Sequence, residues 1–326
     1  MEANLDMMQV VSRQEHEVAM AETDDVLTHL NTVRDFVRWG ASRMSAAGLH
    51  FGHGTSNAID ESAALVLHGI HLQPDLHPEY FDAALTPDEK RTVLDLLDRR
   101  MTERKPAAYL TNRAWFMGLP FYVDERVLVP RSPMAELIES QFAPWSVDAD
   151  AVHRILDLCT GSGCIGIACG YTFPNATVDL SDISDDALAV AGRNIAEHGL
   201  GERVQIIQSD LFDGLENRRY DLIVSNPPYV GVADLATLPE EYRHEPVLGL
   251  ISGEHGLDAV TRILREAPRY LTADGVLVVE VGATHDLLSK VYPEAPFVWL
   301  ELERGGEGVF LLTAEQLRDC GDMFSR

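Results

Sequence analysis

Cysteine is scarce in this chain, with four among 326 residues. Cys159, Cys164 and Cys169 recur every five residues and Cys320 stands alone, so there is no Cys-x-x-Cys knuckle and no defensible metal site. Buried free thiols in a reducing compartment are expected. No apolar run reaches the roughly 18 residues of a membrane span, and the acidic amino terminus has no basic-then-apolar signal segment. A cytoplasmic protein without a membrane partner is expected. Positive charge is short as well: 26 Lys and Arg face 52 Asp and Glu, a formal charge of −26. Such a surface repels a nucleic-acid backbone and attracts basic partners, so no direct DNA binding is expected. Repeats and low-complexity stretches are also missing.

The rest of the composition is that of a globular protein, 46% hydrophobic and 24% charged, and long enough for a large core. Apolar residues from Asp24 to about Lys105 recur at helical spacing. Val26, Leu27, Leu30, Val33, Phe36 and Val37 line one face, and Ala58, Ile59, Ala63, Leu65, Val66 and Leu67 suggest a second helix. Thr86-Pro87-Asp88-Glu89 reads as a capping box with proline at the first helical position. Residues 109 to about 131 alternate apolar and turn residues and predict a hairpin. From Ala151 onward strands and helices alternate, which predicts a mostly parallel sheet covered on both faces. Arg304-Gly305-Gly306-Glu307-Gly308 separates two final strands, Phe297 to Glu303 and Val309 to Thr313, as an antiparallel hairpin. The expected organisation is a helical domain (1–105), a hairpin and connector (106–150) and a catalytic domain (151–326).

Two motifs carry chemistry. The buried strand Val152–Leu158 contains Asp157 and runs into Cys159-Thr160-Gly161-Ser162-Gly163-Cys164, then an apolar helix. Glycines here let a ligand approach the backbone at a helix amino end. The next strand ends at Asp182, about 20 residues past the glycines, where a carboxylate can take both ribose hydroxyls of a nucleoside. Asp182 could instead cap the helix beginning near Ser184. A third strand ends at Asp210 and Leu211, beside the place for an adenine ring, or in an ordinary surface loop. The glycines are too few for the dinucleotide fingerprint. The cofactor implied is S-adenosylmethionine.

The second motif, Ser225-Asn226-Pro227-Pro228-Tyr229, follows the buried strand Tyr220–Val224. The two prolines fix the turn and remove two amide donors. Asn226 adds an acceptor and two donors, and Tyr229 an aromatic face near which a cationic methyl donor can sit. A site of this kind accepts hydrogen bonds from a planar NH2 group, as methyl transfer to an amide or exocyclic amine nitrogen requires. Asn226, Pro227 and Tyr229 are the candidate catalytic residues, and with Pro228 they are the candidate substrate site. Arg131 and Glu136 could border this site or form a salt bridge between the domains. Arg243, His244, Glu245 and Pro246 lie on a long loop after the motif that could shape a substrate pocket. Glu280 faces the same mouth without an assigned role.

At this point the sequence resembles the amino-methyltransferases that modify glutamine side chains of translation proteins. The resemblance covers nearly the whole chain. Phe51-Gly52-His53-Gly54-Thr55, Leu110–Phe116 and Leu128-Val129-Pro130-Arg131-Ser132-Pro133-Met134-Ala135-Glu136-Leu137 favour the branch that acts on large-subunit ribosomal protein three. The sister branch acts on release factors and typically reads Pro-Arg-Pro-Glu-Thr-Glu in the last stretch. Cys159, where many relatives have glycine, also suits the first branch. The resemblance implies a Rossmann-like class I methyltransferase fold, mostly parallel with a terminal antiparallel hairpin, plus a small amino-terminal helical domain that helps to recognise the protein substrate. It implies S-adenosylmethionine bound by Asp157, Cys159, Thr160, Gly161, Ser162, Gly163, Asp182, Asp210, Leu211 and Asn226. Phe116 either reaches over that cofactor or packs on the sheet. A release-factor enzyme, a nucleic-acid amine methyltransferase and a non-catalytic ribosome-assembly factor are the competing expectations.

Overall fold

The computed structural model describes residues 25–145, 149–215 and 217–324. Asp24 and the acidic amino terminus read for a signal lie outside them. The described chain divides into two compact units at Thr111 and Asn112. The stretch 106–150, read as a connector, is therefore shared. Its helix Ala107–Thr111 contributes Ala107 and Leu110 to the core of the helical unit, and the rest belongs to the second unit.

Three longer helices make the first unit: Val33–Ala46, Ala58–Gly69 and Pro87–Thr102. Each start is fixed by a side-chain cap. Thr32 and Asp35 form a reciprocal box, Asn57 caps the second helix, and Thr86 with Glu89 boxes the third behind Pro87, as its sequence predicts. The stripe Val33, Phe36, Val37 packs with Leu65, Val66, Val93 and Leu97. A Cβ at Gly40 would lie 2.4 Å from Ser62 Oγ, so glycine is what lets the first two helices approach closely. Arg100 and Glu61 form a wholly buried ion pair. Thr55 Oγ1 donates to Glu61 at 2.5 Å, and Arg100 Nη2 donates to the His50 carbonyl at 2.9 Å. Phe51–Thr55 is thus braced by a buried pair from two helices.

The second unit holds a hairpin, β1 (Ala114–Phe116) and β2 (Leu119–Phe121), and a seven-stranded sheet. The sheet strands are β3 (Arg154–Leu158), β4 (Thr177–Asp182), β5 (Val204–Gln208), β6 (Tyr220–Ser225), β7 (Leu271–Glu280), β8 (Val298–Trp299) and β9 (Val309–Thr313). Their order is β5-β4-β3-β6-β7-β9-β8, with the first five parallel and β9 antiparallel to both neighbours. Side chains alternate across the sheet. Ile155, Val178, Leu180 and Val224 pack on one side under the helices Cys164–Thr172 and Asp185–Glu197; Leu156, Leu158, Ile223 and Leu277 pack on the other under Asp258–Glu266. This is the mostly parallel sheet with helices on both faces that the alternating sequence predicts, closed by the terminal antiparallel hairpin of the class I methyltransferase fold that the resemblance implies.

One detail differs from expectation, and one of two alternatives is taken. β8 is two residues long, because the Glu303 and Arg304 amides donate to the Glu136 carboxylate instead of pairing with β9. Phe116 packs in the core, the second of its two expected places, buried among Phe121, Met134 and Leu137, and does not line the cavity at the carboxyl ends of the strands. Burial of such a ring contributes about 1.5–3 kcal/mol, enough to hold it there.

Candidate active site

Parallel register brings the carboxyl ends of β3, β4, β6 and β7 to one edge, where open α/β sheets bind ligands. A cavity of about 670 Å³ opens there. Cys159, Thr160, Gly161 and Ser162 form one part of its wall, Asp182, Asp210 and Leu211 a second, and Asn226, Pro228 and Tyr229 a third. Three segments far apart in sequence therefore meet at one opening. Asp157, Gly163 and Pro227 are buried behind the wall rather than on it.

The glycine turn is shaped by left-handed backbone at Cys159 (φ 61°), Gly161 (φ 54°) and Gly163 (φ 82°). A side chain costs energy in that region, so Cys159 holds a backbone conformation that favours glycine. Asp157 Oδ2 accepts from Thr160 Oγ1 at 2.5 Å and from the Gly166 amide at 2.8 Å. Its Oδ1 is buried with no hydrogen-bond partner, and burial pushes its carboxyl up to about 7. Asp182 Oδ2 accepts from the Gly161 amide and Oδ1 from the Ser184 amide, each at 3.0 Å. The helix cap itself is Ser184, whose hydroxyl accepts from the Ala187 amide. Two acceptor positions remain on Asp182, the number a ribose diol needs. Asp210 Oδ1 takes Arg262 Nη1 at 2.7 Å.

The chemistry of these groups fits S-adenosylmethionine. An orphaned buried carboxylate oxygen lies beneath a glycine turn, and a Cβ built on Gly161 meets nothing within 4 Å. The acids at the ends of β4 and β5 complete a nucleoside-sized cradle.

On the β6 side, Asn226 lines the cavity, and its side-chain amide has no hydrogen-bond partner among the described residues. Tyr229 donates to Glu280 Oε1 at 3.5 Å. Burial, then the nearby Glu280 carboxylate, push the tyrosine hydroxyl upward, so it is neutral at working pH. Glu280 is pushed up to about 7 by burial and accepts from Ser132 Oγ at 2.5 Å. Arg131 lies on the wall, paired in a fork with the buried Glu245 and 5.3 Å from the Tyr242 ring. Glu136 does not line the cavity and accepts from the Glu303 and Arg304 amides instead. Of the loop residues singled out by sequence, Pro246 lines the wall and Glu245 stands behind it; His244 is half-buried and off the wall. Arg243 is exposed and pairs with Glu240. Arg262 and Ser132 were missed by sequence reasoning. Arg262 reads as a surface ion pair with Glu266 four residues on, and no local signal tells that from a wall residue. Among the described residues, no group of three or more His, Cys, Asp or Glu side chains could hold a metal ion, and no helix is long and apolar enough to cross a membrane.

The fold and this site define a class I methyltransferase that uses S-adenosylmethionine as methyl donor. A family model described as "Methyltransferase small domain" matches residues 141–238. The ribosomal protein uL3 glutamine methyltransferase of Francisella tularensis is 48% identical over 93% of this chain and 96% of its own. Its namesakes in Bordetella pertussis and Neisseria gonorrhoeae are each 52% identical over 88% of this chain, and over 97% and 96% of their own lengths. The chain belongs to the family of ribosomal protein uL3 glutamine methyltransferases.

Proposed function

We propose that this protein methylates the side-chain amide nitrogen of a glutamine in ribosomal protein uL3, in the cytoplasm. The observation that carries this reading is the meeting of Asn226 and Tyr229 with the glycine turn and Asp182 in one cavity. Relatives across nine-tenths of the chain bear the name of that activity. S-adenosylmethionine supplies an electrophilic sulfonium methyl group when bound. Asp157, Gly161 and Asp182 would hold it, with Cys159, Thr160, Ser162 and Gly163 shaping the turn and Asp210 and Leu211 beside the adenine.

A carboxamide nitrogen is a poor nucleophile because its lone pair is delocalised into the carbonyl. Deprotonating it beforehand is too costly, and its activation here is by position. The Asn226 side-chain oxygen accepts one amide hydrogen of the substrate, and the backbone carbonyl of Pro227, a residue otherwise buried behind the wall, accepts the other. This turns the nitrogen lone pair toward the methyl donor and stabilises positive charge as it grows on nitrogen, and one of the two amide protons leaves to water after transfer. Tyr229 packs on the glutamine side chain and narrows the channel, and its ring tolerates nearby positive charge. The helical unit helps to recognise the protein substrate. Asn226→Ala tests the account: turnover at saturating cofactor should fall by a factor equal to about 2–4 kcal/mol of barrier. Near-wild-type turnover in that variant would overturn it.

A further inference from the structure

Ser132 and Glu280 come from segments 148 residues apart, and neither has a part in the steps above. They meet beside Tyr229. Glu280 is the last residue of β7, 6% exposed and on the cavity wall. Its two oxygens receive two different donors: Oε2 takes the Ser132 hydroxyl at 2.5 Å, and Oε1 takes the Tyr229 hydroxyl at 3.5 Å. Ser132 is placed for this because its Oγ also accepts from the Met134 amide, which ties it to the start of the helix Met134–Glu139.

The Tyr229 ring has little room to choose another position. A Cβ on Gly282 would stand 2.8–3.1 Å from three of its ring and hydroxyl atoms, and one on Gly256 would stand 2.0 Å from its carbonyl oxygen. Two glycines with positive φ therefore let the loop and the end of β7 close on Tyr229 from both sides. What the packing leaves open is the hydroxyl direction, and Glu280 supplies it.

We propose that Glu280 is a positioning residue for methyl transfer: its carboxylate, seated by Ser132, holds the Tyr229 hydroxyl and sets its direction on the ring against which the substrate glutamine packs. This rests on the function proposed above and deepens it. As an ionised carboxylate it accepts from both hydroxyls at once. A protonated Glu280 carries a donor on one oxygen, so one of the two hydroxyls has to turn from donor to acceptor and the seating of the Tyr229 hydroxyl changes. The charged and titratable groups around it are Arg131, which favours the ionised form, and Tyr229, with Ser132 as a neutral donor; burial opposes ionisation most strongly. Burial pushes Glu280 up to about 7, so the competent form should be lost as pH falls through neutrality.

The test is the pH profile of kcat at saturating cofactor and uL3, for the wild type, Glu280→Gln, Tyr229→Phe and the double variant. Asp157 is also pushed up to about 7 by burial, but it lies under the cofactor turn, so cofactor affinity is measured across the same pH range to separate its effect. The wild type should show an acid limb near neutrality. Both single variants should lose that limb and about tenfold in kcat, and the double variant should be no worse than either single. Tyr229→Phe deletes one oxygen from a ring that is otherwise retained, so the pH profile of that variant is decisive even if Glu280→Gln folds poorly. An acid limb kept in both variants, or losses that add, overturns the inference while leaving the glutamine chemistry in place. Absence of transfer to any glutamine by the wild type at every pH overturns the functional reading and this inference with it.

Discussion

Asp182 is the residue whose chemistry is most divided. Its oxygens hold the glycine turn and the start of the next helix through two backbone amides, and they have capacity left for a ribose. Asp182→Asn keeps the size but turns one acceptor into a donor that opposes a backbone N–H. Calorimetric titration should show cofactor affinity weakened by tenfold or more, from the lost charged hydrogen bonds. An unchanged Kd would mean that the ribose lies elsewhere. Such residues were legible in the sequence because strand, glycines, strand and acid occur in a fixed order. The Ser132–Glu280 contact was not, since its partners are 148 positions apart and no periodicity links them. Arg262 was hidden differently, behind an ordinary i, i+4 pair with Glu266.

At the scale of elements, the join between β3 and the helix after it is the most tightly built. A Cβ at Gly166 would fall 2.1 Å from Leu180 Cδ2 and 2.9 Å from Asp157 Cβ. Gly166→Ala should therefore cost roughly 1–3 kcal/mol in denaturant unfolding, and displacing Asp157 should weaken cofactor binding as well. A stability equal to wild type would show that the helix shifts freely and that Asp157 is not clamped. In the helical unit, Arg100→Ala leaves Glu61 charged and buried, and should destabilise by about 3–5 kcal/mol in the same assay. Capping boxes and alternating strands made these elements readable in advance; the Thr86–Glu89 box forms where the four-residue signature stands. β8 was overestimated because the carboxylate that takes its amides, Glu136, lies some 167 residues away in sequence. Phe116 joined the core rather than the cavity because nothing local distinguishes an aromatic ring that packs from one that covers a ligand.

At the scale of the whole molecule the dominant property is charge, −26 over 326 residues. Association with a basic protein substrate should be steered by this field, so raising salt should increase KM severalfold between about 0.05 and 0.3 M while kcat changes little. A KM indifferent to salt would assign the acidic surface to solubility alone. The central claim, that the Asn226-to-Tyr229 end of β6 presents a glutamine amide of uL3 to the methyl donor, is tested most directly by locating the product. Labelled S-adenosylmethionine is offered with purified uL3 and, separately, with a release factor, and mass spectrometry places the methyl group. The account predicts one methylated glutamine side chain in uL3 and none in the release factor. Label on the release factor alone, or on no protein despite tight cofactor binding, would contradict it.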